Sequence, residues 1–216
     1  MKAVAYRQNL PIDREESLLD IDLPDPEPGE RDLLVEVCAV SVNPVDVKIR
    51  AHARPEPGQA RVLGWDASGV VRAVGAKVTL FKPGDAVWYA GALNRPGTNS
   101  ALHRVDERLV ARKPATLGHA DAAALPLTAI TAWELLFDRL RVQHADPAQP
   151  QHLLVIGGAG GVGSILIQLA RQLTGLTVIA TASRPETREW VLRQGAHHVV
   201  DHTRPLASEI AALGLG

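Results

Sequence analysis

Residues 152–173 read HLLVIGGAGGVGSILIQLARQL, and this stretch decides the fold of the second half of the chain. Its first part, 153–156, is a short apolar run of the kind that forms a buried parallel strand. Gly158, Gly160 and Gly163 follow at once in the spacing G-x-G-x-x-G. Apolar side chains then recur at helical spacing, at positions 162, 165, 166, 169, 170 and 173. The stretch therefore predicts a strand, a glycine turn and a helix, in that order.

This order of elements is typical of a dinucleotide-binding unit. Glycines let the backbone approach a pyrophosphate closely, and free amides at the positive end of the helix dipole meet its charge. A second apolar run, 176–182, comes where the ribose-reading strand is expected. We therefore predict that the cofactor contacts the turn, at Gly158, Gly160, Gly161, Val162 and Gly163. The alternative is a glycine turn used only for close packing.

The end of that second strand bears on the choice of cofactor. Enzymes that prefer NAD usually place Asp or Glu there, and its carboxylate accepts a hydrogen bond from the ribose 2′-hydroxyl. Here the chain reads Thr181-Ala182-Ser183-Arg184, with a hydroxyl and a guanidinium but no acid. The end of this strand therefore predicts that NADPH is the preferred cofactor, with Ser183 and Arg184 contacting its 2′-phosphate. The alternative is an ordinary turn in which Ser183 caps the helix that carries residues 186–193.

The first half of the chain has a different spacing of apolar and turn residues. Up to about residue 115, short apolar runs are separated by turn clusters such as PDPEPGE (24–30) and KPGD (82–85). This pattern predicts a β-rich domain with strands at 2–6, 33–40, 69–74, 85–89 and 102–105. Beyond residue 118 the apolar spacing lengthens, which predicts two consecutive helices, the second beginning at Pro126.

Composition and charge limit the partners that we expect. The chain has 23 Lys+Arg against 24 Asp+Glu, so no basic surface for nucleic acid or an anionic membrane is predicted. Its single cysteine, Cys38, excludes an internal disulfide and is expected to be an inert structural thiol. We expect no signal peptide and no membrane span. The expected protein is cytoplasmic and acts on a small molecule, with a homodimer left open.

Five motifs, taken in order, resemble the medium-chain dehydrogenases/reductases. They are AVSVNPVDVKIR (39–50), VLGWDASGVVRAVG (62–75), FKPGDAVW (81–88), ALPLTAITAWELL (124–136) and GGAGGVGSILIQLA (157–170). Within that family the sequence resembles the zinc-independent quinone oxidoreductase branch and the zinc-type alcohol dehydrogenase-like proteins. The resemblance implies a GroES-like (chaperonin-10-like) β-barrel domain over 1–118. The first half of a doubly wound Rossmann domain would follow over 119–216.

The resemblance also indicates whether the chain has the ligands for a catalytic zinc ion. In the metal-dependent members, a cysteine stands where this chain has Asn43 and a histidine stands where it has Trp65. An amide and an indole cannot supply the donors that catalytic zinc needs, so no zinc is expected. Transfer by motif position places Asn43 and Asp46 beside the nicotinamide, Trp65 in the wall of the substrate pocket and Thr128 at the cofactor. The alternatives are a helix N-cap for Asn43, simple packing for Trp65 and a helix-backbone hydrogen bond for Thr128.

The reaction implied by the resemblance is hydride transfer from NADPH to a quinone or an α,β-unsaturated carbonyl. Such substrates accept hydride without a Lewis acid, and hydrogen bonds then hold the developing oxyanion. A zinc-dependent alcohol dehydrogenase is the nearest alternative.

A non-catalytic nucleotide-binding or interaction protein is the alternative from another class. Only three strands of the second domain are predicted, near 153–156, 177–181 and 198–201, before the sequence ends at AALGLG. We therefore expect either a fragment of a longer protein or a natural truncation. In either case the strand at 153–156 would be an open sheet edge, and the isolated chain would have little reductase activity.

Overall fold

A computed structural model describes residues 1–142 and 151–215 of the chain. The chain divides into two units, Met1–Leu127 and Thr128–Gly216. The division falls within a helix, Pro126–Trp133, that begins at the predicted proline. Residues 119–127, which follow the predicted domain boundary, lie in the first unit.

Short strands separated by Pro- and Gly-containing turns build the first unit. In chain order its elements are β1 (Lys2–Tyr6), β2 (Leu19–Asp22), β3 (Asp32–Ser41), α1 (Pro44–His52), β4 (Arg61–Val62), β5 (Asp66–Val74), β6 (Ala86–Ala90), β7 (Leu102–Asp106), β8 (Val110–Arg112) and α2 (His119–Ala123). Every predicted strand is present. The sequence analysis missed β2, β4 and β8, because none of the three contains an apolar run.

Two antiparallel sheets organise this unit. One has the strand order β7-β3-β5-β6-β8 and the other has the order β2-β1-β4. Alternate side chains of the larger sheet point to one buried face, where they form the main core of Leu33, Val35, Ala67, Val71, Val87, Tyr89 and Val105. Helix α2 packs against β3 and β5.

Helix α1 is fixed at both ends. Pro44 occupies its first position and Asn43 is its N-cap. The Asp46 carboxylate accepts a hydrogen bond from the Asn43 backbone N–H at 2.8 Å. At the other end, the buried Tyr6 hydroxyl donates to the carbonyls of Ile49 and Ala53. Strand β1, which carries Tyr6, therefore holds the C-terminal turn of the helix in place.

The second unit alternates strands and helices. Its elements are α3 (Pro126–Trp133, which begins in the first unit), β9 (His152–Val155), α4 (Gly161–Leu173), β10 (Thr177–Thr181), α5 (Pro185–Arg193), β11 (His198–Val200) and α6 (Leu206–Ala211). The three strands form a parallel sheet in the order β11-β10-β9. Among the described residues β9 pairs only with β10, so β9 lies at an edge of the sheet.

Helix α4 packs its buried face on this sheet. Gly163, Leu166, Ile167 and Ala170 are buried, and the core continues through Val155, Val178, Ala180 and Val191. The predicted apolar face was partly wrong, because Leu173 is exposed and Ile167 is fully buried. The small side chains at positions 163 and 170 let the helix approach the strands closely on the face that also carries Ile167.

Two other details of the second unit differ from the sequence analysis. Arg184 is the N-cap of α5 and makes no side-chain cap, so the Ser183 cap is wrong. Pro185 already suits the first helical position. Helix α6 was not predicted, because its six residues, LASEIA, offer only one pair of large apolar side chains at helical spacing, Leu206 and Ile210.

The segment after α3 departs from α-helical geometry. Residues Glu134–Arg139 form a π-helical turn in which the Leu140 N–H donates to the Leu135 carbonyl at 2.9 Å. Leu136, inside this turn, is fully buried in the core of the second unit. Residue Arg141 then takes a left-handed conformation with φ of 53°. The predicted long helix is therefore present, but it contains a wider turn at its end.

Candidate functional site

The glycine turn of the second unit is tied to the end of β10. The Gly157 N–H donates to the Thr181 hydroxyl at 2.9 Å, and the Gly158 N–H donates to the Thr181 carbonyl at 3.3 Å. Gly157 has φ of 70°, a conformation that favours glycine. Gly160 then serves as N-cap of α4. Thr181 therefore positions the loop, which the sequence analysis did not anticipate.

The glycines of this turn have different structural roles. A Cβ at Gly163 would lie 2.5 Å from the Gly157 carbonyl oxygen, and one at Gly158 would lie 2.9 Å from the Ala180 Cβ. Both positions are closed by packing, as in the alternative left open above. A Cβ at Gly160 would be 3.3 Å from the Gly157 oxygen, and one at Gly157 would meet nothing within 4 Å. The open face of the turn is therefore at Gly157 and Gly160.

An open pocket of about 410 Å³ lies over this face of the turn. Its lining residues come from the glycine turn, the end of β10, the start of α5 and the segment after β11; they are Gly157, Ala159, Gly160, Thr181, Ala182, Ser183, Arg184, Thr187 and His202. The structure thus brings the predicted Gly160, Ser183 and Arg184 into one place.

The other predicted cofactor residues lie around the pocket rather than in its wall. Gly158 and Gly163 are buried behind it, and Val162 packs against the core of the second unit. Gly161 is exposed at the first position of α4, where an added Cβ would lie 3.2 Å from the Thr128 methyl carbon. Thr128 is thus beside the start of α4. Its contact with cofactor stays a prediction, as do the contacts of the other residues.

Arg184 has an exposed side chain at the mouth of this pocket. Its guanidinium pairs with the Glu186 carboxylate at 3.0 Å, and both side chains are largely exposed to solvent. Exposed ion pairs of this kind are weak, so a phosphate can replace the carboxylate at little cost. Beneath the pocket, the Arg188 guanidinium donates to the carbonyls of Ala182 and Val199, which ties the ends of β10 and β11 together.

The pocket residues that the sequence analysis missed lie at the carboxyl ends of the parallel strands. The carboxyl ends of neighbouring parallel strands meet at one edge, where a ligand binds. Thr181 ends β10 and His202 comes soon after β11. The sequence analysis did not name His202. Its place after the third strand was the signal that could have found it.

A cluster of buried polar side chains forms the candidate site of the first unit. The Asn43 side-chain amide donates to Asp66 Oδ2 at 2.9 Å, and the Leu127 backbone N–H donates to Asp66 Oδ1 at 2.8 Å. The Asn43 backbone N–H donates to Asp46. All three polar residues are buried. The structure therefore brings Asn43 and Asp46 together and adds Asp66; a place beside the nicotinamide stays a prediction.

Burial dominates the protonation of the two carboxylates. It raises the pKa of Asp66 to about 6, against the hydrogen bonds from Asn43 and Leu127, and the nearby Asp46 charge raises it further. Burial also raises the pKa of Asp46, against backbone hydrogen bonds from Asn43 and Gly64. Asp66 is therefore a carboxyl that changes its charge near neutral pH in an otherwise buried place.

Trp65 sits in a turn that only a glycine before it permits. Gly64 has φ of 99°, and a Cβ there would fall 2.4 Å from the Asn99 side chain. The indole of Trp65 is 2% exposed and packs in a cluster with Tyr6, Leu63, Val45, Ile49 and Leu127. Its packing is what the alternative in the sequence analysis describes. A place in the wall of a substrate pocket stays a prediction.

Two buried polar atoms of this cluster lack hydrogen bonds. Among the described residues, neither Trp65 Nε1 nor Asp46 Oδ1 has a partner. Within that same part of the chain, no group of three or more His, Cys, Asp or Glu side chains is placed to hold a metal ion. Cys38 is exposed on β3, so it is not a thiol of the core. No helix in the described ranges is long and apolar enough to cross a membrane.

Comparison with known proteins identifies the family. Residues 29–125 match the alcohol dehydrogenase GroES-like domain, and residues 161–216 match the zinc-binding dehydrogenase domain. The chain belongs to the medium-chain dehydrogenase/reductase family, an oxidoreductase family. The predicted fold class, a GroES-like domain followed by the beginning of a Rossmann domain, is confirmed.

Curated relatives match nearly the whole chain but extend beyond it. A zinc-type alcohol dehydrogenase-like protein of Staphylococcus aureus is 44% identical over 212 residues, which are 97% of this chain and 62% of the relative. An NADPH-dependent alkenal/one oxidoreductase of Arabidopsis thaliana chloroplasts is 38% identical over 191 residues, 83% of this chain and 47% of that protein. The chain thus spans about three fifths or less of these relatives' length.

Solved structures show the same arrangement of elements. A Rhizobium etli protein, assigned as a zinc-dependent alcohol dehydrogenase, is 62% identical with a TM-score of 0.95, over 100% of this chain and 63% of that one. The Escherichia coli quinone oxidoreductase complexed with NADPH is 27% identical with a TM-score of 0.82, over 99% of this chain and 63% of that one.

Proposed function

We propose that this chain belongs to an NADPH-dependent oxidoreductase that transfers hydride to a quinone or an α,β-unsaturated carbonyl without a metal. The observation that carries the proposal is the pocket at the end of β10, where Ser183 and Arg184 stand and no carboxylate ends the strand. The Escherichia coli and Arabidopsis proteins, whose names include NADPH, support the same cofactor.

The residues around the pocket fit the parts of NADPH. The amides at the open face of the glycine turn, at Gly157 and Gly160, suit a pyrophosphate at the start of α4. The Arg184 guanidinium and the Ser183 hydroxyl suit a 2′-phosphate, because charge-assisted hydrogen bonds to phosphate are strong. Thr181 holds the turn in place for this contact. When bound, NADPH supplies the hydride.

The polar cluster of the first unit is proposed to act on the substrate side. Asp66 fixes the Asn43 amide by accepting from its nitrogen, and the Asn43 side chain accepts from the Asp46 backbone N–H in a capping box. Asp46 holds the backbone of the same residue. We propose Asn43 and Asp46 as the side chains beside the nicotinamide, and Trp65 as an apolar wall. Asp66, with a pKa of about 6, is able to hold or release a proton at this cluster.

The cofactor preference is tested by titrating NADPH and NADH into the 216-residue chain by calorimetry. We expect tighter binding of NADPH. Because a hydrogen bond to a charged group is worth roughly 1.5–3 kcal/mol, Arg184→Ala should weaken NADPH binding by about ten- to a hundredfold and leave NADH binding little changed. Arg193→Ala, on the exposed side of α5, is the control. An equal loss for both cofactors contradicts the assignment, and no binding of either favours the alternative of a non-catalytic interaction protein.

A zinc-dependent alcohol dehydrogenase is the second candidate, favoured by the assignment of the Rhizobium etli protein. Against it, Asn43 and Trp65 occupy the positions that are Cys and His in metal-dependent members, and neither side chain suits zinc. Elemental analysis of purified protein distinguishes the two candidates. We expect no stoichiometric zinc, and about one tightly held zinc per chain would overturn the metal-free proposal.

The proposed substrate class is tested on the complete enzyme. Without a Lewis acid to stabilise an alkoxide, it should reduce quinones or enones and not oxidise simple alcohols at a useful rate. Rapid turnover of ethanol in metal-free buffer would contradict this. The balanced charge of the chain supports a small molecule as partner, rather than nucleic acid or a membrane.

A further inference from the structure

An open cavity of about 540 Å³ lies in the first unit, between the chain that follows α1 and the segment after β6. Its described lining residues include three arginines, Arg54, Arg61 and Arg95, and a single acid, Glu56. We propose that this cavity binds a small organic anion, which has an apolar body and a carboxylate or phosphate group.

This cavity is separate from both sites described above. Its wall contains none of Asn43, Asp46 and Trp65. Asn43 caps the N-terminal end of α1, whereas Arg54 follows the C-terminal end, nine helical residues or about 14 Å further on. The cofactor pocket lies in the second unit. The inference therefore goes beyond the proposed function.

Two of the three guanidinium groups have no carboxylate partner. Arg54 is exposed and makes no hydrogen bond or ion pair with any residue that the structure describes. Arg61 donates to the Leu93 carbonyl oxygen at 3.2 Å. A neutral acceptor of this kind holds the guanidinium in place without cancelling its charge. A chain whose total charge is balanced thus keeps two unpaired cations at one cavity.

The third arginine shares its partner with another cation. The Arg95 guanidinium pairs with the Asp32 carboxylate at 2.8 Å, and Arg104 Nε lies 3.6 Å from the same carboxylate. One negative charge between two guanidinium groups leaves this side of the cavity positive as well.

Backbone contacts and apolar side chains give the cavity its shape. Arg61 and Val62 form β4, which pairs with β1. The Gly97 N–H donates to the Val62 carbonyl at 3.1 Å, which holds the segment after β6 beside β4. Apolar side chains complete the wall, those of Leu23, Pro55, Ala60, Val62, Leu93 and Pro96. Such a wall suits the body of a small molecule, while the arginines suit a charged group at its end.

An anion gains more at this cavity than a neutral molecule of the same shape. A guanidinium presents its N–H donors in a planar fork that matches the oxygens of a carboxylate or a phosphate. Positive charges that share one cavity also repel one another, and an anion between them relieves this repulsion. Salt screens both effects, so the affinity for an anion should fall as the ionic strength rises.

The test is a nuclear magnetic resonance titration of the 216-residue chain with benzoate and with benzamide, its neutral isostere. We expect benzoate to shift the side-chain Nε–H signals of Arg54 and Arg61 with millimolar affinity, and benzamide to bind about five times more weakly. Phenyl phosphate distinguishes the two anionic groups. Tighter binding than benzoate assigns the cavity to a phosphate, and weaker binding assigns it to a carboxylate.

Charge variants should change the affinity in opposite directions. Arg54→Gln and Arg61→Gln should each weaken benzoate binding by about three- to tenfold and leave benzamide binding unchanged. Glu56→Gln removes the acid from the wall and should strengthen benzoate binding by about two- to threefold. Arg14→Gln, at an exposed arginine outside the cavity wall, is the matched control and should bind as the wild type does.

Several outcomes would overturn the inference. They are equal affinities for benzoate and benzamide, an affinity that Arg54→Gln and Arg61→Gln leave unchanged, and an equal loss for Arg14→Gln, which would show a general effect of net charge. Raising the salt concentration from about 20 to 200 mM should weaken benzoate more than benzamide, and equal weakening counts against an anion site. Failure to bind NADPH would leave this inference standing, because the cavity uses no cofactor residue.

Discussion

At the residue scale, the buried Asp66 couples the stability of the first unit to pH. Its pKa is raised to about 6 in the folded state, from about 4 when unfolded, because the carboxyl is buried. The folded state therefore binds more protons between these values. The stabilisation is complete below pH 4 and is lost as the pH rises through 6, a change of about 2–3 kcal/mol.

Asp66→Asn should remove this dependence. Relative to the variant, the wild type should lose about 2–3 kcal/mol in free energy of unfolding between pH 4 and pH 7. Urea denaturation followed by circular dichroism measures the difference at each pH. Asp20→Asn, in an exposed position on β2, is the control. Parallel pH curves for the wild type and Asp66→Asn would contradict the prediction.

Thr181 supports the glycine turn, and its effect on binding should differ from that of Arg184. Thr181→Val removes the acceptor of the Gly157 N–H and should weaken NADPH and NADH equally, by about two- to tenfold. Thr181→Ser keeps the hydroxyl and should bind both cofactors nearly as the wild type does. Calorimetric titration of both cofactors checks this, and a loss confined to NADPH would show that Thr181 contacts the 2′-phosphate instead.

The sequence predicted site residues where a motif carried them and missed those that depend on distant contacts. Asn43 and Asp46 lie in one short motif that the structure keeps together. Asp66 lies in another motif, yet its role depends on Asn43 and on Leu127, which are brought to it only by the fold. No local pattern indicates such a contact.

At the element scale, the glycine turn and helix α4 fit together at Gly163. Gly163→Ala would place a Cβ 2.5 Å from the Gly157 oxygen, so the turn must move away from the helix. We expect the variant to lose about 2–4 kcal/mol in stability of the second unit and to lose cofactor binding. Gly160→Ala, where the same oxygen is 3.3 Å away, is the control for stability and should destabilise this unit far less. Hydrogen exchange of the β10 amides measures the stability of this unit.

His103 of β7 is buried beside Tyr89 of β6, and its effect on stability has the opposite pH dependence to that of Asp66. The Tyr89 hydroxyl lies 3.0 Å from His103 Nδ1, and His103 Nε2 lies 3.1 Å from the Pro96 carbonyl oxygen. Burial lowers the pKa of His103 to about 4. The unfolded chain therefore binds more protons between pH 4 and about 6.5, and stability falls as the pH falls through this range.

His103→Gln can keep both hydrogen bonds but does not titrate. Relative to this variant, the wild type should lose about 3 kcal/mol in free energy of unfolding between pH 6.5 and pH 4. Because Asp66 acts in the opposite direction over nearly the same range, these two contributions should largely cancel in the wild type. Urea denaturation of the two single variants reveals the two opposed slopes. A flat difference between the wild type and His103→Gln would contradict this prediction.

Element prediction succeeded where apolar runs were long and failed where pairing alone makes a strand. Strand β2 (LDID) and β4 (RV) are held by their register with β1, which brings Ile21 opposite Ala3 and Val62 opposite Ala5. Neither segment has an apolar run of its own. The face of α4 was shifted because small residues at 163 and 170, rather than large apolar ones, let the helix approach the sheet.

At the scale of the whole molecule, the motif order predicted the fold class, because five separate motifs each fix one junction between elements. The relative placement of short connecting elements such as α6 was not predicted, since it depends on packing against β11. The chain spans 62% of the length of the first Staphylococcus aureus relative.

The edge strand β9 should make the 216-residue polypeptide associate with a second copy. The Gln151 carbonyl accepts from the Thr177 N–H, so backbone groups of alternate residues face β10 and those of His152 face outward. His152→Pro removes one outward donor without changing the pairing with β10 and should reduce association. Sedimentation over about 5–100 µM should show rising mass for the wild type and for His152→Ala. A strictly monomeric wild type would contradict this prediction.

The π-helical turn at Glu134–Arg139 has a consequence for insertions and deletions in the gene. A turn closed by an i→i+5 hydrogen bond contains one residue more than an α-helical turn. Deletion of the single codon for Asp138 should therefore leave a continuous helix, with the surplus residue removed and Leu136 still buried. Residues after the deletion should keep the face of the helix on which they lie now, because the wider turn already accommodates the surplus residue. A one-codon loss here would thus preserve both the helix and the position of Leu140.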